Sequence, residues 1–144
     1  MSTRARALFV LSAALPLLSG ACADVPLVEV RGPDGTLRLR VEADFARTAD
    51  ARREGLAGRD GLDEGRGLLL VFPTEGEVCI ENTPVGFAID AIFANAAGRV
   101  IAIERDIPAG DATSRCHQPV AQVLELAGGV ALSVQVGDVL EQAP

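Results

Sequence analysis

The plainest signal in the chain is a strict two-residue alternation over residues 36–45. Leu37, Leu39, Val41, Ala43 and Phe45 share one face, and Arg38, Arg40, Glu42 and Asp44 share the other. Successive side chains of an extended strand point to opposite sides, so this pattern predicts a half-buried antiparallel strand. Residues 26–31 predict a short strand before it, joined through Gly32-Pro33-Asp34-Gly35. In that turn Pro presets the first dihedral and Gly accepts a positive φ. Residues 67–72 form an unbroken apolar run, the mark of a strand buried on both faces. Residues 78–82, 88–94, 99–104, 118–126 and 130–136 predict further strands, and Val139-Leu140 a short last one. Asn95-Ala96-Ala97-Gly98 predicts the hairpin between two of them. One short helix is expected from a Thr48 cap to about Gly55, with Asp50 in the first turn where the helix dipole favours an acid. Residues 58–67 predict a glycine-rich charged loop, and residues 107–119 an irregular excursion.

About eight short strands, frequent turns and one short helix predict a mainly β domain, an antiparallel sandwich or barrel. The spacing of βαβ units is missing, which argues against a parallel α/β sheet.

The first residues follow a different pattern. Arg4 and Arg6 precede an apolar run over residues 7–18, broken by Ser12 and Pro16. A bilayer-spanning helix needs about 20 residues; the shorter run has the layout of a secretory signal. Residues 1–21 therefore read as an export signal, residues 22–26 as a short tether and residues 27–144 as a single β domain. A buried N-terminal helix is the competing reading, and Pro16 with the small residues after it counts against that. Leu18-Ser19-Gly20-Ala21-Cys22 resembles a bacterial lipobox, in which the Cys22 thiol takes a diacylglyceryl group. Ordinary cleavage after Ala21 or Ala23 is the alternative. Lipidation is the favoured expectation. It places the domain in the cell envelope, facing the periplasm and held close to a membrane by several acyl chains. Ordinary cleavage would leave it soluble in the periplasm or secreted.

Charge narrows the partners. All 13 basic residues are Arg. Arg4 and Arg6 lie in the signal and no acid does, so the remainder carries 11 basic and 20 acidic residues, a net charge of −9. That balance argues against nucleic acid and anionic lipid headgroups, which are bound through basic patches, and allows a cationic partner. Trp and Tyr are absent, and beyond the signal the aromatic residues are Phe45, Phe72, Phe87 and Phe93. A stacking platform for sugars or single-stranded nucleic acid is therefore not expected.

With Cys22 lipidated, Cys79 and Cys116 remain as an even pair in an oxidising compartment. The favoured reading is a structural disulfide, which on the chain-entropy model would contribute about 4 kcal/mol. Two sharper readings compete. Cys79, Cys116 and His117 would be soft metal ligands, with Asp90 or Glu81 as a fourth; but Cys116 and His117 are adjacent, and no CxxC or HxxxH pair occurs. Alternatively Cys79 would be a nucleophilic or redox thiol assisted by His117. Two free buried thiols are the remaining case. Arg52, Arg59 and Arg66 around the glycine-rich loop offer a carboxylate or phosphate site; the plainer reading is solvated arginines offsetting Asp60, Asp63 and Glu64. Glu81-Asn82-Thr83 lies between apolar strands and needs partners if buried. It reads equally as the lip of a binding site and as a turn bonded to local backbone. Templates for a serine hydrolase, a phosphate loop, a dinucleotide loop or a calcium loop are missing, so no reaction and no cofactor is predicted.

Five segments in order resemble a known family. Arg52-x-x-Gly55-Leu56-x-x-Arg59 resembles its helix and helix exit, and Gly67-Leu68-Leu69-Leu70-Val71-Phe72 its Gly-Met-Leu-Phe-x-Phe strand. Cys79-Ile80-Glu81-Asn82-Thr83 stands where the family has Trp-Met-Lys-Asn-Thr. Ile89-Asp90-Ala91-Ile92-Phe93 followed by Gly98-Arg99-Val100 resembles its Leu-Asp-x-x-Phe hairpin. Val123-Leu124-Glu125-Leu126 with Gly129, then Val136-Gly137-Asp138, resembles its C-terminal signature. The family is domain of unknown function 192, and the resemblance spans roughly residues 37–140. It implies a compact β fold and frequent export or lipid anchoring, and no reaction, substrate or cofactor. Cys79 in place of Trp, and Glu81 in place of Lys with its charge reversed, remove any role tied to those two family residues. The expectation is a binding or structural envelope module, meeting a protein or small ligand through Arg52, Arg59, Glu81, Asn82 and Asp90. The alternative is a thiol-dependent redox or metal-binding protein built on Cys79, Cys116 and His117.

Overall fold

The turn at Gly32–Gly35 closes as its residues require: Gly35 adopts φ 80° and its N–H donates to the Gly32 carbonyl at 2.9 Å. It joins β1 (Leu27–Arg31) to β2 (Leu37–Ala46), which pair antiparallel. Val28 and Val30 are fully buried, while Glu29 and Arg31 face the other way and form an ion pair at 2.6 Å. In β2 the alternation buries Val41 and Ala43, but Leu37, beside the turn, is 44% exposed. The structure, a computed structural model, describes residues 25–143. The predicted export signal, Cys22 and most of the tether lie outside the described residues.

Helix α1 (Ala49–Glu54) is set by its ends. Thr48 Oγ1 accepts the Ala51 N–H at 3.1 Å, and Gly55, at φ 54°, stops the helix while its N–H donates to the Ala51 carbonyl. After α1 the chain returns as β3 (Arg66–Ile80), which runs parallel to β2 from Glu42↔Arg66 to Ala46↔Leu70. The sheet is therefore mixed: this one pair is parallel, and the other strand pairs are antiparallel as expected. The crossover is hard to see in sequence because its helix has 6 residues, where βαβ units usually carry much longer ones.

Residues 67–72 and 78–82 predict separate strands, but β3 is one strand of 15 residues. Its pairing with β6 (Arg115–Ala127) slips between Val71 and Gly76 and again between Gly76 and Val78. Polar residues at those bulges look like a loop while the backbone keeps its sheet bonds. In the same way β6 starts inside the stretch predicted to be irregular, because its polar first residues Arg115, Cys116 and His117 pair with Ile80, Cys79 and Val78 at the end of β3. β4 (Ile89–Ala94) and β5 (Val100–Ile107) form the hairpin expected at residues 95–98, with Gly98 at φ 78°.

Residues 130–136 are not a strand. They make consecutive turns, Val130 N–H to Ala127 O and Val134 N–H to Ala131 O, before β7 (Val139–Gln142). Their apolar character has another cause: Ala131 and Val134 are fully buried against the core, while Leu132 and Val136 point to solvent. Among the described residues seven strands result, in the order β5-β4-β6-β3-β2-β1-β7. The sheet curls into a half-barrel whose edge strands approach each other. Arg99 bridges Val139, the Val100 N–H donates to Asp138 O at 2.8 Å, and the Leu140 N–H donates to Gly98 O at 2.7 Å. A β-carbon on Gly98 would collide with that Leu140 carbonyl, so glycine is required at this seam.

The two faces of the sheet bury separate clusters. Val28, Val30, Val41, Leu69, Ile92, Leu124 and Leu126 fill the interior of the curl. Leu56, Leu68, Leu70, Val85, Phe93 and Val123 form the second cluster, on the face that carries α1 and the segment after β3.

Candidate functional site

A cleft of about 240 Å³ opens on this second face, where the end of α1 meets the end of β3. Its base is Glu125. Strand parity places Leu124 and Leu126 in the interior of the curl and Glu125 on the outside, opposite Leu68 of β3 and Ala91 of β4. Glu125 is 5% exposed, and its Oε2 has no hydrogen-bond partner among the described residues. Burial pushes its pKa up to about 7, against the pull of the Arg59 charge. A buried acceptor without a donor is uncommon and costly.

Asn82 forms a second wall. It is fully buried, and its Nδ2 donates to the carbonyls of Phe87 at 2.9 Å, Pro108 at 2.9 Å and Ile107 at 3.3 Å. Its backbone N–H donates to Asp111 O, and its carbonyl accepts from Val85 and Gly110. Asn82 thus ties the segment after β3 to the segment after β5. This is the turn reading of the Glu81-Asn82-Thr83 run, widened to distant backbone. Yet Oδ1 is left buried and without a partner on a residue that lines the cleft. The turn reading accounts for Nδ2 and the backbone groups of Asn82, and Oδ1 is the atom left over for a lip.

The other predicted residues divide. Arg52 and Glu81 line the cleft with Arg53. The Arg52 guanidinium is already committed: it donates to Arg47 O at 2.6 Å and Val71 O at 3.0 Å, and lies over the Phe72 ring. Arg59 binds Asp44 at 3.2 Å, and Arg66 binds Glu42 at 2.7 Å. The three arginines are not gathered into an anion site, and the acids paired with Arg59 and Arg66 come from β2 rather than from the glycine-rich loop.

Asp90 lies on the opposite face of the sheet. It pairs in register with Leu126, so it points into the curl, where Oδ1 accepts the Asp106 N–H at 2.8 Å and Oδ2 the Ala131 N–H at 2.7 Å. It anchors two loops and does not belong to the cleft. Asp106 is held there at φ 51°.

Cys79 and Cys116 stand opposite each other in β3 and β6, bonded through their sulfurs, with Cα atoms 4.0 Å apart. Both are exposed, and Cys79 forms part of the cleft wall. His117 is engaged elsewhere, its Nε2 2.8 Å from Glu104 Oε1 and its ring edge-on to Phe93. Among the described residues no group of three His, Cys, Asp or Glu side chains is placed to hold a metal ion. Glu125, which residue-by-residue reading does not single out, is the main addition. Its one signal in sequence is an acid inside the apolar run Val123-Leu124-Glu125-Leu126.

No curated protein matches the chain. A crystal structure from Sinorhizobium meliloti 1021, whose name proposes a transcription regulator, matches at 24% identity and TM-score 0.77, over 81% of this chain and 92% of that one. At that identity the likeness speaks to the fold alone. A crystal structure of a protein of unknown function from Novosphingobium aromaticivorans DSM 12444 matches at 28% identity and TM-score 0.74, over 90% of this chain and 94% of that one. The family model DUF192, described as an uncharacterized ACR, matches residues 30–142, and the chain belongs to that family.

Proposed function

We propose that this chain is an exported, lipid-anchored domain of the cell envelope that works as a binding module, with the Glu125–Asn82 cleft as its site. One observation carries the site: two buried oxygens, Glu125 Oε2 and Asn82 Oδ1, belong to residues lining one cleft, and neither has a donor among the described residues. A folded domain gains nothing from burying two unmade hydrogen bonds, so a ligand that supplies the donors accounts for them. Export rests on the Arg4/Arg6 and apolar-run layout and anchoring on the lipobox-like segment ending at Cys22; the Cys79–Cys116 bond fits an oxidising compartment.

The test uses the mature protein purified from a bacterial envelope. Its intact mass should carry acyl chains at Cys22. A fragment panel of donors, acceptors, cations and anions, followed by amide NMR shifts, should perturb residues around Gly55, Asn82 and Glu125. An unmodified N-terminus would overturn the anchor, and a panel that leaves the cleft untouched would overturn the binding site. A second reading, a redox protein acting through Cys79, is favoured only by the exposure of the disulfide beside the cleft. It requires turnover of that bond with small thiols, measured by alkylation.

A further inference from the structure

We propose that the cleft takes a small primary alkylammonium group, whose N–H donors are accepted by Glu125 Oε2 and Asn82 Oδ1. This rests on the cleft being the binding site argued above and names the chemistry of its ligand.

An amide oxygen can only accept, and a carboxylate accepts at both oxygens. With Glu125 ionised, the missing partner of both atoms must therefore donate. Charge then selects among donors. The acids Glu54, Glu81 and Glu125 all line the cleft. Two bases, Arg52 and Arg53, line it as well, their donors turned to the Arg47 and Val71 carbonyls and to Asp50, so with Glu125 ionised the lining carries one net negative charge. The remainder of the space therefore favours a cation.

Size narrows the choice again. The volume of about 240 Å³ is below the ~300–1,000 Å³ of ordinary small-molecule sites. A short alkyl chain ending in an ammonium fits such a space, its methylenes meeting apolar neighbours such as Leu56, Ile80 and Val85. A metal ion fits the donors less well, because they do not cluster as three ligands among the described residues.

Binding of this kind is linked to protons. The groups around Glu125 are Arg59, Arg52, Arg53 and Glu54 from α1 and the loop after it, and Glu81 after β3; its strand neighbours Leu68 and Ala91 are apolar. An ammonium requires the carboxylate form of Glu125. Its affinity should therefore rise with pH until that carboxyl is fully ionised, by about tenfold or more between pH 5.5 and 8.

The mature protein would be titrated with n-butylammonium, with tetramethylammonium (a cation without N–H donors), with acetate and with butyramide, reading amide shifts at constant ionic strength. Saturable shifts at Gly55, Asn82 and Glu125 are expected with n-butylammonium and not with tetramethylammonium. Glu125→Gln should weaken n-butylammonium at least about tenfold at pH 8 and flatten the pH profile. Equal binding of both cations, or no saturation by n-butylammonium, would overturn the proposal. Saturation by acetate or butyramide alone would sink the ammonium and leave the binding module standing, while silence from every probe would remove both. The probe selectivity and the wild-type pH profile decide the matter even if the variant misfolds.

Discussion

The Oε2 oxygen of Glu125 lies 3.5 Å from the place a β-carbon would take on Gly55. The residue that ends α1 therefore sits directly against the orphan carboxylate. The helix stop and the cleft share one residue.

Gly55→Ala tests the turn. A β-carbon has ordinary contact distance there, so space is not the obstacle. The backbone is: φ 54° with ψ −130° is a conformation that L side chains rarely adopt. Stability should fall by about 1–3 kcal/mol, read from urea unfolding. A loss below about 0.5 kcal/mol, the range of ordinary surface changes, would mean the helix ends differently.

Glu125 should make stability fall as pH rises. Its folded pKa is raised to about 7 by burial, against an ordinary value of 4.5. Below the ordinary value it is protonated in both states and costs nothing. Between the two values the native state holds the proton that the unfolded state has lost, so stability declines through this window and levels off above pH 7. The total is of the order of 3 kcal/mol. Glu125→Gln should abolish this decline and be more stable than the parent at pH 8. Matching profiles for the two proteins, from thermal or urea unfolding across pH, would show that Glu125 ionises freely.

Asn82 should be among the more sensitive positions. Asn82→Ala strips the donor from the Phe87, Ile107 and Pro108 carbonyls and should cost about 2–4 kcal/mol. Asn82→Asp keeps the shape and places a carboxylate against those carbonyls, so it should be at least as damaging at neutral pH. A surface lip with no structural role would tolerate both. Urea midpoints of the two variants separate the cases.

The Cys79–Cys116 bond closes a sequence separation of 37 residues. Cys79→Ser, or reduction of the parent, should lower stability by up to about 4 kcal/mol on the chain-entropy model. Reductant should have no further effect on the variant. A parent unchanged by complete reduction would show that the β3–β6 pairing holds its end of the sheet without the crosslink.

Much of the fold is legible in local pattern. The alternation of β2, the Gly32–Gly35 turn, the Thr48 cap, the Gly55 stop and the hairpin at residues 95–98 all depend on side chains close in sequence. Turn chemistry and strand period act over a few residues, so they can be read directly. Misreadings arise where polarity stands in for structure. The polar bulges of β3 look like a loop, and the apolar turns after Ala127 look like a strand. Their polarity reports which surface they meet, and that is settled by distant parts of the chain.

The site divides along the same line. Asp90 and Glu125 carry the same mark, an acid inside an apolar run, and lie on adjacent strands of one sheet. Sequence determines that each is embedded in a strand and that burial will make its charge expensive. Only the tertiary structure decides that Asp90 faces inward and receives N–H groups from Asp106 and Ala131, while Glu125 faces outward under α1 with one oxygen unmet. The physical reason is that the cost of a buried charge depends on donors brought from far along the chain. Strand pairing and the crossover after β2 place those donors, and no residue beside either acid encodes them.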